Sequence, residues 1–595
     1  MTRQPRAFFA LDFGSATLSA ALIGHVGNRW RLVAHAAAPA STPLELHLRG
    51  LLERVHAADP ELLAAVSPTT EPDALPDIAA LVAVLPRLEA RSSTPRRIAV
   101  LAGSRRQRIK LEAAAIRAGW LVASGSADED DPITLSRLAL SPDVSAVLLG
   151  ADHSPAGDEK RHLPMLAALV AAVDRCRIDL TVVLAGGASV HEAVFPEADV
   201  GPITPASALP EASSTAAGTM TAGATMVAAA TGITAAAARA HNVLIAPDAA
   251  AGEPAGAALQ QVLEGLRAVP NDSRLGFARS ISSLASVLDS SIEGIEVGLQ
   301  GGLRCRAERL GPGSKTIVSW HAAPAFASFS PPDPDDATIE GVVAWSAVAL
   351  DRYRLTDRLR DLRISPWGDA EGEGALVRAA AAKAAAERAI VATPEISARP
   401  MPDLIVAGGG TWASMPPSLA ALALTDLVRR PGVSRLAVDQ ARLLGPLGTI
   451  EDEAERCRML ADLAEDLLVP LGSVIMPADL RQGRSAGRMT VKDRVAAGAG
   501  AGGATVGQPI ELELQPGALE AIDLAPGQTA TAVLEFRDNV RLTGRGRNFI
   551  VEVDGGLAGL LVDLRDVPLR MPDRSEARRA ALEAWQRVVW AESGE

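Results

Sequence analysis

The residues best suited to chemistry lie in three glycine-rich turns, each directly after an apolar run that is typical of a buried strand. The turns contain Asp12, Gly14, Ser15 and Thr17; Glu296 and Gly298; and Gly408, Gly409, Gly410 and Thr411. Glycine lets the backbone approach a ligand closely, and the N–H groups and hydroxyls of such turns can bind phosphate oxygens. Each carboxylate adds a place for a metal-bound water. For the first turn alone, an ordinary β-hairpin with an aspartate at its turn is an equally good interpretation.

The elements that would position these turns follow a repeated order. Three short strand-like runs fill residues 7–37, and the same order restarts between residues 291 and 320. From about residue 97 to 187, strand-like and helix-like runs alternate, which is typical of an α/β domain with a largely parallel sheet. Ligands of such sheets lie beyond the carboxyl ends of the strands. We therefore predict an α/β fold in which two copies of one domain surround a cleft.

The last part of the chain has a different pattern. From about residue 484 the sequence is first rich in glycine and then alternates apolar and polar residues, which predicts a small all-β unit. A terminal amphipathic helix follows it. The predicted domains are residues 1–285 with a helical insertion, 286–480, and 481–595. We expect residues 1–480 to fold without the C-terminal unit.

Composition narrows the classes of function. The 595 residues carry a formal net charge of −13, which argues against a nucleic-acid or anionic membrane surface because such surfaces need dense Lys and Arg. Cys176, Cys305 and Cys457 are widely spaced and suit a reducing compartment, and the nine histidines show no paired ligand spacing. The uncharged run 212–238 consists mainly of Ala, Gly and Thr, which carry little membrane transfer energy. These features predict a cytoplasmic protein without a membrane span or a metal bound by protein alone.

Two further glycine motifs are weaker evidence for a phosphate-binding loop. The run GPGSKT at 311–316 lacks the glycine that precedes the lysine of a Walker A loop, and it leads into a strand. Gly498, Gly500 and Gly503 match the GxGxxG pattern, but no helix follows to receive a pyrophosphate. We interpret the first as a hairpin turn and the second as a linker.

Two phosphate turns with a later glycine loop resemble the plan of the actin, hexokinase and heat-shock chaperone ATPase superfamily. Within it the chain is most similar to the glutamate mutase L family, described as reactivating or chaperone-like partners of adenosylcobalamin-dependent mutases. The matching runs are LDFGSAT, SAVLLGADH, TVVLAGG, DLIVAGGGT and VDGGLAGLLVDLRDVPL. The resemblance implies two ribonuclease H-like domains around a cleft that holds ATP and Mg²⁺. It also implies a protein partner, of which a cobalamin-dependent mutase is the first to test.

The resemblance also implies roles for the residues of the turns. Asp12, Gly14, Ser15 and Thr17 would form the first phosphate loop, Glu296 and Gly298 the second, and Gly408, Gly409, Gly410 and Thr411 the adenosine contact. Asp12 and Glu296 would be the catalytic carboxylates, and Asp12 would hold Mg²⁺ through water.

Two departures from the family pattern bear on hydrolysis. The lysine expected shortly after the first loop is missing, since Ser19 lies in that neighbourhood and the first lysine of the chain is Lys110. In the second loop, Glu296 and Leu299 replace the Asp and the second Gly of the expected Asp-x-Gly-Gly. The sequence therefore leaves two hypotheses: a slow ATPase that remodels a partner, and a degenerate, non-hydrolysing fold that serves as a protein-binding scaffold.

Overall fold

The structure is a computed structural model, and two compact units are distinguished in it. The larger contains residues 1–93, 270–320 and 326–595, and the smaller contains residues 94–269 and 321–325. The structure describes residues 6–66, 77–92, 96–118, 120–150, 162–177, 180–186, 243–247, 253–267, 271–309, 316–322, 334–365, 371–496 and 508–590. The uncharged run 212–238, most of GPGSKT and the GxGxxG glycines lie outside the described residues.

The larger unit begins with a four-stranded sheet in the order β3-β2-β1-β4. Its elements are β1 (Ala7–Phe13), β2 (Thr17–Val26), β3 (Arg29–Pro39), α1 (Leu44–Ala58), α2 (Pro60–Val66), α3 (Ile78–Val84) and β4 (Arg87–Arg91). Strand β1 is antiparallel to β2 and parallel to β4. Phe9 and Leu11 of β1 pack with Leu48 and Leu51 of α1, so the apolar run before Asp12 is fixed in a core.

The smaller unit is a five-stranded sheet in the order β6-β5-β7-β8-β9, with every pair of neighbours parallel. Its elements are β5 (Arg97–Ala102), α4 (Arg105–Arg117), β6 (Leu121–Ser126), α5 (Pro132–Leu140), β7 (Val144–Gly150), α6 (Leu163–Cys176), β8 (Thr181–Ala185), β9 (Val243–Ala246) and α7 (Glu253–Arg267). Alternate residues of β5 contribute to two different apolar clusters, since both faces of the sheet are covered. The predicted parallel α/β sheet is confirmed.

The smaller unit interrupts the larger one in sequence. The backbone N–H of Arg91, at the end of β4, donates to the carbonyl of Asn271 at 2.8 Å. The two points at which the chain leaves the larger unit and returns to it therefore lie next to each other. The predicted boundary at residue 285 falls inside the helix that follows, Ser273–Leu288. The predicted domain boundaries remain predictions.

The larger unit also contains an eight-stranded mixed sheet, in the order β12-β11-β10-β13-β14-β15-β21-β18. From residue 273 to 476 the elements are α8 (Ser273–Leu288), β10 (Ile292–Val297), β11 (Gly302–Arg309), β12 (Thr316–Ala322), α9 (Asp336–Trp345), α10 (Arg352–Ile364), α11 (Gly372–Val391), α12 (Pro394–Ser397), β13 (Leu404–Gly408), α13 (Gly410–Ala413), α14 (Pro417–Leu427), β14 (Gly432–Val438), α15 (Leu444–Leu447), α16 (Glu453–Asp462), α17 (Ala464–Leu467) and β15 (Val469–Met476). Helix α15 packs against β1, β4 and α8, and α8 packs against β10 and β11. These two helices therefore connect the four-stranded sheet to the eight-stranded sheet.

The four-stranded sheet β3-β2-β1-β4 and the eight-stranded sheet contain the same hairpin. Asp12 pairs with Ser19 across β1 and β2, and Glu296 pairs with Leu303 across β10 and β11, so both pairs have the same register around the turn. In each turn the glycine two residues after the carboxyl donates its N–H to the residue three further on, at 2.9 Å and 2.7 Å. Each hairpin also has a parallel strand, β4 or β13, on its other side.

The C-terminal segment contributes to both a separate sheet and the eight-stranded sheet. Its elements are β16 (Gly487–Ala496), β17 (Ile510–Leu514), β18 (Leu519–Ile522), β19 (Gln528–Arg541), β20 (Arg545–Asp554), β21 (Leu560–Asp563) and α18 (Ser575–Val589). Strands β17, β16, β19 and β20 form an antiparallel sheet, whereas β21 pairs in parallel with β15. Buried Asp563 pairs with Arg429 of the preceding segment. We therefore expect truncation at residue 480 to expose a strand edge and a buried charge, contrary to the expectation from sequence.

Membrane insertion through helices finds no support in the described ranges. None of the helices in them combines the length and the apolar character that a bilayer crossing requires.

Candidate functional site

One cleft in the larger unit brings the three glycine-rich turns together. The space inside it that water-sized groups can occupy is about 60 Å³, and the total empty space is about 700 Å³ when the solvent at its open mouth is counted. It is lined by Asp12, Gly14, Ser15, Ala16, Thr17, Ser92, Arg274, Glu296, Gly298, Leu299, Gln300, Gly301, Leu362, Arg378, Gly409, Gly410, Thr411, Ser414 and Arg442. All the site residues predicted from sequence are in this set except Gly408.

The three glycines of the third turn have different surroundings. Gly408 lies at the end of β13, and a Cβ there would come within 2.2 Å of the Phe277 ring, so this glycine serves close packing. Gly409 has a φ of +90°, which favours glycine, and a Cβ would lie 2.6 Å from the carbonyl oxygen of Val297. A Cβ on Gly410 would instead point to Arg442 Nη1 at 3.4 Å, at the cleft.

Asp12 is buried and has two polar neighbours. Ser273 Oγ donates to Asp12 Oδ1 at 3.0 Å, and Arg442 Nη1 lies 3.5 Å from Asp12 Oδ2. Burial raises the pKa of Asp12, while the charge of Arg442 and the Ser273 hydrogen bond oppose the rise. Asp12 therefore has a guanidinium nitrogen within 3.5 Å of one of its oxygens.

Glu296 has a different environment. Burial raises its pKa to about 8; Arg274 opposes the rise, and Asp12 and Asp272 add to it. Glu296 Oε2 is buried and has no hydrogen-bond partner in the part of the chain that the structure describes. At pH 7 the side chain is therefore mostly a neutral carboxylic acid.

Asp439, at the end of β14, is a third buried carboxyl near the cleft. It accepts hydrogen bonds from the backbone N–H groups of Leu443 and Leu444 at 2.8 Å and 2.9 Å. Burial nevertheless raises its pKa to about 7, with a smaller contribution from the charge of Asp12. The carboxyls around the cleft thus carry less negative charge than their number suggests.

Three arginines bring positive charge to the cleft, and none of them was predicted from the sequence. Arg274 is the second residue of α8, and its Nε lies 3.6 Å from Asp272 Oδ1. Arg378 lies buried on α11. Arg442 follows β14, has a φ of +56°, and donates from Nη1 to Thr17 Oγ1 at 2.5 Å. Only Arg442 had a signal in the sequence, because it stands shortly after the carboxyl end of a strand, where ligands of α/β sheets lie.

The cleft combines two kinds of anion-binding group. Backbone turns and guanidinium groups meet there, which is the combination that binds phosphate oxygens. Within the ranges described, no three or more His, Cys, Asp and Glu side chains are grouped to hold a metal.

Comparisons with known proteins add little to this geometry. No family model matches the chain, and no curated protein matches it. Two solved structures of the dinucleotide-forming acetyl-coenzyme A synthetase 1 of Ca. Korarchaeum cryptofilum are similar, the apo form at 11% identity and the complex with phosphate and ADP at 12%. Each match covers 62% of this chain and 67% or 68% of the other, with a TM-score of 0.15. A TM-score this low supports no conclusion about fold or ligand, so the resemblance to the glutamate mutase L family still depends on the sequence motifs alone.

Proposed function

We propose that the protein binds a nucleotide through its phosphates in the cleft between the three turns. The observation that supports this most directly is that residues 14–17, 298–301 and 409–411, far apart in sequence, line one cavity. Arg274, Arg378 and Arg442 line the same cavity and supply the positive charge that phosphate oxygens require.

We also propose that the larger unit is built from two ribonuclease H-like halves of the actin type. The repeated hairpin and the shared order of β3-β2-β1-β4 and β12-β11-β10-β13 support this proposal. In such an arrangement the hairpins would hold the phosphates of ATP or ADP, and the turn 409–411 would face the nucleoside. A place in the glutamate mutase L family, a cytoplasmic location and a partner such as a cobalamin-dependent mutase belong to the same proposal and depend on the sequence.

Hydrolysis of a bound nucleotide is expected to be slow. Asp12 and Glu296 are the carboxyls to which the resemblance assigns catalysis, but Glu296, with a pKa raised to about 8, is mostly protonated at pH 7. In that form it cannot accept a proton from an attacking water. The Mg²⁺ ion that the resemblance places on Asp12 through water fits poorly, because Ser273 and Arg442 already contact the two oxygens of Asp12.

The second candidate is a protein-binding scaffold that takes no nucleotide. It is favoured by the contact of Arg442 with both Thr17 and Asp12, since this side chain already neutralises the first turn without a ligand.

A thermal melt with and without ATP or ADP distinguishes the two candidates. A ligand that binds only the folded state raises Tm, and at a hundredfold excess over Kd it stabilises by about 2.7 kcal/mol. We expect a rise for the wild type and none for Gly410→Asp, whose new carboxylate would enter the cleft near Arg442 without a backbone clash. Gly544→Asp is the matched control, because a Cβ there meets nothing within 4 Å. A wild type whose Tm does not respond to millimolar nucleotide would favour the scaffold.

A further inference from the structure

We propose that Arg442 binds the nucleotide phosphates in place of the expected lysine, and that nucleotide binding therefore needs no divalent cation. This inference depends on the proposed nucleotide binding and specifies how the charge of the phosphates is neutralised.

The position of Arg442 places one guanidinium between two of the turns. Its Nη1 donates to Thr17 Oγ1 of the first turn at 2.5 Å. The same atom lies 3.4 Å from where a Cβ on Gly410 of the third turn would be. An anion held by the first and third turns would therefore contact this side chain directly.

One nitrogen of the Arg442 guanidinium is also available as a hydrogen-bond donor. Its Nη2 is buried and makes no hydrogen bond to any residue that the structure describes. A buried N–H of a charged group without a partner costs free energy, which an acceptor at that position would recover. A phosphate oxygen is a suitable acceptor, because guanidinium groups form short, charge-assisted hydrogen bonds to phosphate.

The backbone of Arg442 indicates that its position is imposed by its surroundings. Its φ of +56° is in the left-handed region, which is uncommon for residues other than glycine, asparagine and aspartate. Such a conformation is unfavourable by itself and persists where the surrounding structure enforces it, often at functional sites. Here the enforced conformation directs the guanidinium toward Thr17 and Asp12.

The surroundings of Asp12 leave little room for a cation. One oxygen accepts a hydrogen bond from Ser273 Oγ, and the other faces Arg442 Nη1 at 3.5 Å. A hydrated divalent ion at Asp12 would lie close to the guanidinium and would be repelled by it. The charge that such an ion would contribute is already present on Arg442, with Arg274 and Arg378 on the same cavity.

The test measures ADP binding by titration calorimetry on the full chain, once with EDTA and once with millimolar Mg²⁺. We expect the wild type to bind ADP with the same Kd in both conditions. We expect Arg442→Gln to bind about tenfold to a hundredfold more weakly, the loss typical of hydrogen bonds to a charged group. Arg442→Lys keeps the charge but not the forked donors, so its Kd should lie between the two. Arg570→Gln is the matched control, since that side chain is 85% exposed and lies outside the cleft.

The outcomes separate this inference from the proposal on which it depends. ADP binding by the wild type only in Mg²⁺, or unchanged binding by Arg442→Gln, would overturn the inference and leave nucleotide binding intact. No ADP binding in either condition would overturn both. If Arg442→Gln does not fold, the comparison of EDTA with Mg²⁺ on the wild type and on Arg442→Lys still decides the question.

Discussion

In the first hairpin Asp12 stands two residues before Gly14, and in the second Glu296 stands two residues before Gly298. The two turns share the strand register and the glycine N–H hydrogen bond. Burial raises the pKa of both carboxyls, but their polar neighbours differ. Asp12 has Ser273 Oγ at 3.0 Å and Arg442 Nη1 at 3.5 Å, whereas Glu296 Oε2 has no hydrogen-bond partner among the described residues, and the pKa of Glu296 rises to about 8. Equal backbones therefore do not give equal chemistry, because side chains from other elements determine the charge of each turn.

Replacing the two carboxyls should give the largest difference between the turns in the free energy of unfolding. Asp12→Asn, the isosteric counterpart of Glu296→Gln, removes the carboxylate that lies 3.5 Å from Arg442 Nη1, and we expect the free energy of unfolding to fall by about 2 kcal/mol. Glu296→Gln replaces a mostly neutral acid by a neutral amide, and we expect a change of less than about 1 kcal/mol. Urea denaturation of both variants at pH 7 measures the two values. Equal losses would mean that the two carboxyls carry the same charge.

The two turns should lose similar amounts of stability when their glycines are replaced by alanine. A Cβ on Gly14 would lie 2.8 Å from the carbonyl oxygen of Thr17, and one on Gly298 would lie 2.9 Å from that of Gly301. We expect Gly14→Ala and Gly298→Ala each to lower the free energy of unfolding by about 1–2 kcal/mol, the usual cost of such overpacking. Gly544→Ala, with open space around its Cβ, is the control for both. A large loss at only one of the two turns would contradict their structural equivalence.

The smallest expected difference is in the response of stability to pH. The pKa of Glu296 is raised from 4.5 to about 8, so between these values the folded protein holds a proton that the unfolded chain has released. This contribution to stability is complete below pH 4.5 and is lost as the pH rises to about 8. Asp439, with its pKa raised to about 7, acts in the same direction up to that pH.

Urea denaturation at several pH values tests this effect. We expect the wild type to lose of the order of 1 kcal/mol between pH 7 and 8, most of it from Glu296 and a smaller part from Asp439. Glu296→Gln should be flatter over the same interval, because it has no carboxyl to titrate there. Parallel curves for the two proteins would show that the pKa of Glu296 is not raised.

Much of the local structure was predictable from the sequence. The apolar runs before Asp12 and Glu296 predicted the strands, and the glycines after them predicted the turns, since both patterns act over a few residues. The alternation of strand and helix from residue 97 to 187 predicted a parallel sheet correctly. The approach of the three turns to one cleft was also expected, from the rule that ligands lie beyond the carboxyl ends of strands.

Other features depend on contacts that no local pattern encodes. The pairing of β21 with β15 could not be predicted, because alternation indicates a strand but not its neighbour. The glycine at 408 looked like part of a ligand loop, yet its missing side chain makes room for the Phe277 ring.

The sequence by itself determined the strands, the tight turns and the two carboxyls, because backbone sterics and burial of apolar side chains operate within each segment. Only the tertiary structure decided which charges surround those carboxyls. Arg442 reaches Thr17 and Asp12 across more than four hundred residues of chain. Electrostatic energies depend on distance and burial in space, and neither is given by separation along the sequence.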